Sequence, residues 1–205
     1  MLITALQPQG KTKCRVEVDY EETFVLHRKD VFLYGLKEGE EISEDVWAEL
    51  ADQFRADALH KCGSLLMNCD YSEKGLYDKL IQSGFPREIA AGAVAEMVKA
   101  HYVDDRRLAA NYIHFHLADR SKTRIRMDLM KKGVDSELIK EAFENEEEET
   151  GESSLEAEKT QIRALLEKKH YDPDHAEWQD VQKMKAFLYR KGYSQGAIRA
   201  VMEET

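Results

Sequence analysis

Leu80-Ile81-Gln82-Ser83-Gly84-Phe85, Leu129-Met130-Lys131-Lys132-Gly133-Val134 and Leu188-Tyr189-Arg190-Lys191-Gly192-Tyr193 are three copies of one pattern. Each is a leucine, three residues, a glycine and an apolar residue. The glycine ends a helix in the left-handed conformation open to it, and a second helix starts two or three residues later. One turn upstream of each leucine stand Leu76, Ile125 and Met184, on the same helix face. Downstream, Ala90/Val94, Ile139/Phe143 and Ile198/Met202 repeat at i, i+4. Pro86 suits the first position of such a helix, and Asp135 or Ser136, and Ser194, suit its cap. A longer helical candidate precedes each pair, at 44–68, 105–119 and 154–169. In the middle one Leu108, Tyr112 and Phe115 form an apolar stripe. A three-helix unit of this size cannot hide its apolar face alone, so neighbours must stack. The expected fold is mainly all-α: three tandem three-helix repeats forming an elongated curved array, with a small N-terminal β-hairpin segment.

That segment is read from residues 1–43. Leu2–Leu6, Lys13–Val18 and Glu22–His27 are extended candidates. In the second, Cys14, Val16 and Val18 alternate with Lys13, Arg15 and Glu17, the period of a half-buried strand. Asp19-Tyr20-Glu21 connects it to the third as a hairpin, which is marginal in water unless it packs on something. Ser43 followed by Glu44 and Asp45 starts the first helix. The expected division is 1–43 for the β segment, 44–103 for repeat 1, 104–147 for repeat 2, and 148–205 for an acidic connector with repeat 3.

Composition narrows the function classes. The chain has 205 residues, 34% of them charged, with a net charge of −10. Eight acidic residues and no basic one fall between 144 and 158, so the rest of the chain is close to neutral. The acidic run, 144–152 at its densest, is expected to be a solvated helix end or a connector that repels nucleic acid locally. The remaining surface is free to carry basic patches. No apolar run approaches the roughly 18 residues that cross a bilayer, and Gln7-Pro8-Gln9 interrupts any signal-peptide stretch. Three cysteines without a CxxC pair do not suggest a disulfide framework. A soluble, cytoplasmic, monomeric protein without a membrane partner is expected.

Catalytic and metal chemistry find little support. Asp104 and Asp105 are adjacent carboxylates, but they stand where Asp caps a helix and favours its positive end. His114 and His116 are two apart and diverge on a helix, while His170 and His175 flank a turn at Pro173 with no cysteine near. Cys62 and Cys69, seven apart on a predicted helix, suit ordinary packing. Neither a P-loop nor a dinucleotide glycine pattern is present. No catalytic, metal or cofactor-binding residue is expected.

The feature expected to act is basic. Arg120, Lys122, Arg124, Arg126, Lys131 and Lys132 cluster around one helix with a single acid, Asp128, and Lys183, Lys185, Arg190 and Lys191 repeat the theme in the third unit. In the first unit Lys74 and Lys79 are opposed by Glu73 and Asp78, so the stronger anionic contacts are expected from units two and three. The competing reading is that these are solvated helix faces, favoured near helix C-termini by the dipole.

The centre of the chain carries a resemblance. Tyr102-Val103-Asp104-Asp105, followed by Arg107-Leu108-Ala109 and Tyr112-Ile113, leads into Arg124-Ile125-Arg126 and the lysine-glycine turn at Gly133. In order and spacing, together with Gly84 and Gly192, these resemble the RecX family of recombinase regulators, and the similarity spans almost the whole chain. Leu108 stands where that family often has an aromatic residue, and His101 where it often has glycine. The resemblance implies a non-enzymatic inhibitor of the RecA recombinase without cofactor. Such proteins lie in the groove of the recombinase–DNA filament and regulate homologous recombination, DNA repair and the SOS response. The implied partners are the RecA filament and single- or double-stranded DNA. Two other classes remain open from the residues: a helix-turn-helix regulator of duplex DNA, and a helical scaffold without nucleic acid.

Overall fold

The computed structural model describes residues 1–151, 154–172 and 175–203. The chain divides into two compact units, Met1–Asp104 and Asp105–Thr205. The Pro173 turn and the last residue of the acidic run, Glu152, lie outside the described residues.

In the first unit, β1 (Ile3–Gln9), β2 (Lys13–Val18) and β3 (Glu22–His27) form an antiparallel sheet in the order β1-β2-β3. The expected hairpin is β2–β3, with Lys13 opposite His27 and Val18 opposite Glu22. β1 adds to its other side and runs further than expected, through Pro8 opposite Cys14. An edge strand tolerates a proline because one side of its backbone needs no partner. A short helix follows that period counting did not reveal, α1 (Arg28–Leu33), too brief to show a periodic stripe.

Ser43 caps α2 (Glu44–Leu66), its side chain accepting from the Val46 amide at 3.4 Å. This helix joins two cores. Its Leu50 and Phe54 pack with Ile3, Val16, Val18, Phe24, Leu26 and Ile42 under the sheet. Phe24 meets Phe54 edge-on, with centroids 5.6 Å apart. Further along, Ala58 and Cys62 pack against α3 (Glu73–Ser83) and α4 (Arg87–Lys99) through Leu76, Leu80, Ala90 and Val94. Burial pushes the Cys62 thiol above its ordinary pKa and keeps it protonated. Cys69 lies past the end of α2 and is exposed, so it does not share the packing expected for the pair. Pro86 occupies the cap of α4 rather than its first helical position.

The second unit holds α5 (Asp105–His116), α6 (Lys122–Lys132), α7 (Ser136–Thr150), α8 (Ser154–Lys168), α9 (Trp178–Arg190) and α10 (Gln195–Glu203). One core gathers Leu108, Ala109, Ile113, Ile125, Leu129, Val134, Ile139, Ala142 and Phe143 from α5, α6 and α7 and the turn between α6 and α7. The other gathers Ile162, Leu188, Tyr193, Ala197, Ile198 and Val201 from α8, α9 and α10 and the turn before α10. Phe115 leaves the expected stripe, being 74% exposed. At about 100° per residue the buried face of α5 centres between Ala109 and Ile113, with Leu108 at its edge and Phe115 beyond it.

The repeated pattern has one backbone explanation. Gly84, Gly133 and Gly192 have φ of 93°, 92° and 89°. The amide after each glycine bonds back to the leucine carbonyl: Phe85 to Leu80 at 3.2 Å, Val134 to Leu129 at 3.1 Å and Tyr193 to Leu188 at 3.3 Å. This is the six-to-one closure of a Schellman turn, whose bonded residues also touch through apolar side chains. All three leucines are fully buried.

Candidate functional site

The basic helix α6 is positioned by Ser121. Its hydroxyl accepts from the Arg124 amide at 3.3 Å, capping the helix, and donates to the Lys191 carbonyl at 2.7 Å. The side chain is 2% exposed. A cap serine was legible as such; its bond to a carbonyl 70 residues away was not. The Gly192 turn sits directly on this start: a Cβ on Gly192 would lie 2.8 Å from Ser121 Oγ and 3.2 Å from Thr123 Cβ. A second tie joins the same two repeats, as the Gln161 side-chain amide of α8 donates to the Leu117 carbonyl after α5.

Across this joint, basic residues from both repeats meet. Arg120 and Arg124 from the start of α6, and Arg190 and Lys191 from the end of α9, line a cleft of about 410 Å³ with Asp119, Leu165 and Tyr193. The sequence had placed these cations in two separate clusters; folding brings four of them to one concavity. Tyr193 is buried, and burial first, then the Glu158 and Asp119 carboxylates, raises its hydroxyl pKa and keeps it neutral.

The remaining basic residues are held differently. Arg120 Nη1 donates to Tyr112 Oη at 3.0 Å and to Asp128 Oδ2 at 3.1 Å, while Arg124 Nη2 lies 3.2 Å from Asp128 Oδ1. One carboxylate thus orients two guanidinium groups and leaves a net positive charge. Burial and Asp128 also raise the Tyr112 pKa. Lys122 turns inward onto Glu147 and stands 5.2 Å from the Phe143 ring centre, so it is not a free cation. Lys132 lies over the Tyr112 ring at 5.5 Å. Arg126 and Lys131 are exposed and form no ion pair among the described residues. Lys183 pairs with Asp180 at 3.0 Å, and Lys185 lines a groove between α9 and α10 with Tyr189, Gln195 and Arg199.

The acidic run is more engaged than a solvated connector would be. It continues α7 to Thr150, with Glu146 on His114 at 3.2 Å and Glu147 on Lys122. Arg106 pairs with Glu141 one turn earlier. These bonds fasten α7 across α5 and α6. Asp104 precedes α5 and Asp105 is its first residue, at the positive end of the helix. Tyr102 is 65% exposed, Leu108 is buried and Tyr112 is half-buried against the core. His116 is held by Asp119 at 3.6 Å and His175 by Asp172 at 2.8 Å. Among the described residues, no helix is long and apolar enough to cross a membrane.

Residues 104–142 match the second three-helix domain of RecX, and residues 156–202 match its third. The regulatory protein RecX of Caldanaerobacter subterraneus subsp. tengcongensis is 31% identical over 94% of this chain and 94% of its own length. That of Legionella pneumophila is 30% identical over 68% of this chain and 89% of its own. In fold, a crystal structure of regulatory protein RecX matches with a TM-score of 0.61 at 19% identity, covering 100% of this chain and 99% of that one. RecX from Lactobacillus salivarius matches with a TM-score of 0.60 at 18% identity, over 75% of this chain and 97% of its own. With its turns, three-helix domains and near full-length similarity in agreement, the chain belongs to the RecX family of regulatory proteins.

Proposed function

We propose that this protein is a non-enzymatic modulator of the RecA recombinase that binds the recombinase–DNA filament and inhibits it, so regulating recombination and repair in the cytoplasm. In this reading the modules are residues 1–43, 44–103, 104–147 and 148–205. The observation that carries it is the meeting of Arg120, Arg124, Arg190 and Lys191 across a hydrogen-bonded joint. Cations fixed on two helices present a preorganised charge to phosphates or acidic protein surface, and their attraction falls steeply with salt. Arg126, Lys131, Lys132, Lys183 and Lys185 are the further cations of this reading, with Lys183 already paired to Asp180 at 3.0 Å. Lys122, bonded to Glu147, acts chiefly inside the fold.

The test is charge reversal in the cleft. Arg124→Glu, Arg190→Glu and Lys191→Glu together are expected to weaken binding to RecA-coated single strand at least tenfold, with a shallower salt slope and unchanged helix content. A folded triple variant that inhibits the recombinase as well as the parent overturns the proposal. A second reading, a helix-turn-helix contact to duplex DNA, is favoured by one observation: Gln182, Lys185, Gln195 and Arg199 line the groove between α9 and α10. Tighter binding to naked duplex than to the coated strand supports that alternative.

A further inference from the structure

The first unit holds a basic groove of its own. β2 alternates, with Cys14, Val16 and Val18 buried in the core, so Lys13 and Arg15 stand on the opposite, solvent-facing side. Together with Lys61 of α2 they line a groove of about 530 Å³ beside the Gly84 turn. Gln9, Gln82 and Ser83 supply neutral polar groups, and no carboxylate lines it among the described residues. Neither Lys13, Arg15 nor Lys61 forms an ion pair among those residues. Two acids of the same strands lie outside the groove lining and are oriented by neutral donors: Glu17 accepts from Thr4 Oγ1 at 3.2 Å, and Glu22 accepts from the Arg87 amide at 2.8 Å.

The groove is also built rather than incidental. β3 is the sheet edge, and its Val25 amide donates to the Gly84 carbonyl at 2.8 Å, fixing the turn against the strand. A Cβ on Gly84 would lie 2.6 Å from Val25 Cβ, so the close approach itself depends on glycine. Counting charges by repeat missed this surface because its cations come from a strand and from α2. Lys74 of α3, a cation that charge counting did single out, lies outside the groove lining and is paired with Asp78 at 2.9 Å.

We propose that this groove binds the phosphodiester backbone of single-stranded nucleic acid. Three cations without an ion pair among the described residues, around a concavity that no carboxylate lines, match a polyanion, and a positively charged groove that tracks the backbone is how sequence-neutral strand binders work. Lys61 is half-buried while Lys13 and Arg15 are exposed. A flexible strand can dip to the recessed lysine, whereas the rigid convex phosphates of a duplex meet mainly the outer two. The aromatic residues at the groove, Phe24 and Phe85, belong to the core, so the bases lack a stacking platform and sequence preference is absent. This goes beyond the proposed function, whose cleft lies in the other unit.

The test uses the full chain with Lys13→Glu, Arg15→Glu and Lys61→Glu combined. Binding is read by fluorescence anisotropy with a labelled oligothymidylate of about 16 nucleotides and with a duplex of the same length. The triple variant is expected to lose about tenfold in single-strand affinity, and its salt slope to fall by about 2, at roughly 0.7 per phosphate contact. The duplex is expected to lose less. Unchanged affinity and slope, with a parental circular dichroism spectrum, overturn the proposal. An equal or greater loss on duplex overturns the choice of single strand. Poly-glutamate that displaces the oligonucleotide as well as unlabelled oligothymidylate does also overturns it, because the groove then prefers protein acid. Should the reversed variant not fold, the neutral Lys13→Gln, Arg15→Gln, Lys61→Gln variant is expected to lose about threefold, and no loss there overturns the idea. Because the readout contains no recombinase, it succeeds or fails independently of the filament assay on the cleft.

Discussion

The turns at Gly84 and Gly192 close with the same bonds and nearly the same φ, yet they rest on different supports. Gly84 carries the neutral sequence Ile81-Gln82-Ser83 and leans on a strand; Gly192 carries Tyr189-Arg190-Lys191 and leans on a helix start. The leucine, the glycine and the following apolar residue therefore form a general docking joint. The three residues between them are what differ, and in the third repeat they place two cations in a cleft.

The largest expected effect is at the first joint. Gly84→Ala forces an alanine into a left-handed backbone, at about 1–2 kcal/mol, and drives its methyl into Val25, at about 1–3 kcal/mol. A loss near 4 kcal/mol in urea unfolding is expected. A loss below about 1 kcal/mol would break the idea that close docking requires this glycine. Gly192→Ala should lose less, about 2–3 kcal/mol, since its added Cβ would meet Ser121 Oγ at 2.8 Å, whereas at Gly84 it would meet Val25 Cγ2 at 2.4 Å; equal losses at both sites would remove that distinction. Ser121→Ala removes the cap of α6, at about 1 kcal/mol, and the bond to Lys191, at about another 1 kcal/mol. Ser43→Ala removes only an exposed cap and should cost about half as much in the same measurement. Replacing Arg190 by Gln and Lys191 by Ser, the residues of the first turn, should change stability by less than about 0.5 kcal/mol while weakening filament binding several-fold.

The smallest effect is alkaline. Tyr112 and Tyr193 have hydroxyl pKa values raised in the fold above the ordinary 10.0. The unfolded chain then releases these protons first, so their contribution is intact below pH 10 and fades as pH rises through the folded values. Tyr34 and Tyr71 of the first unit are raised as well, so unfolding followed by circular dichroism should show the whole chain weakening above about pH 10. Tyr112→Phe should flatten part of that slope.

The helices and turns were legible because they depend on local chemistry: a glycine that alone accepts positive φ, and apolar residues at helical spacing. β2 was legible from alternation, and β3 as its extended hairpin partner. His101 has φ of 59°, a left-handed position that the sequence reading did not foresee. What stayed hidden depends on neighbours distant in sequence. Counting cations could not show that Lys122 is occupied by Glu147 or that Asp128 holds both Arg120 and Arg124. Phe115 was misplaced because a spacing of seven names a stripe without fixing which side of it faces the core. The acidic run was legible as a helix end, which α7 makes it, but the bonds of Glu146 and Glu147 were not, because His114 and Lys122 lie on other helices.

Among the described residues, two hydrogen bonds between the second and third repeats end on main-chain carbonyls, those of Lys191 and Leu117. A carbonyl is supplied by whatever residue occupies the position. Drift in the side chain at 191 can therefore retune the charge of the cleft without loosening the joint, whereas Ser121 and Gln161 supply the donors and cannot drift so freely. The charge of the cleft and the architecture of the joint thereby rest on different atoms of the same residue, so one can vary while the other stays fixed.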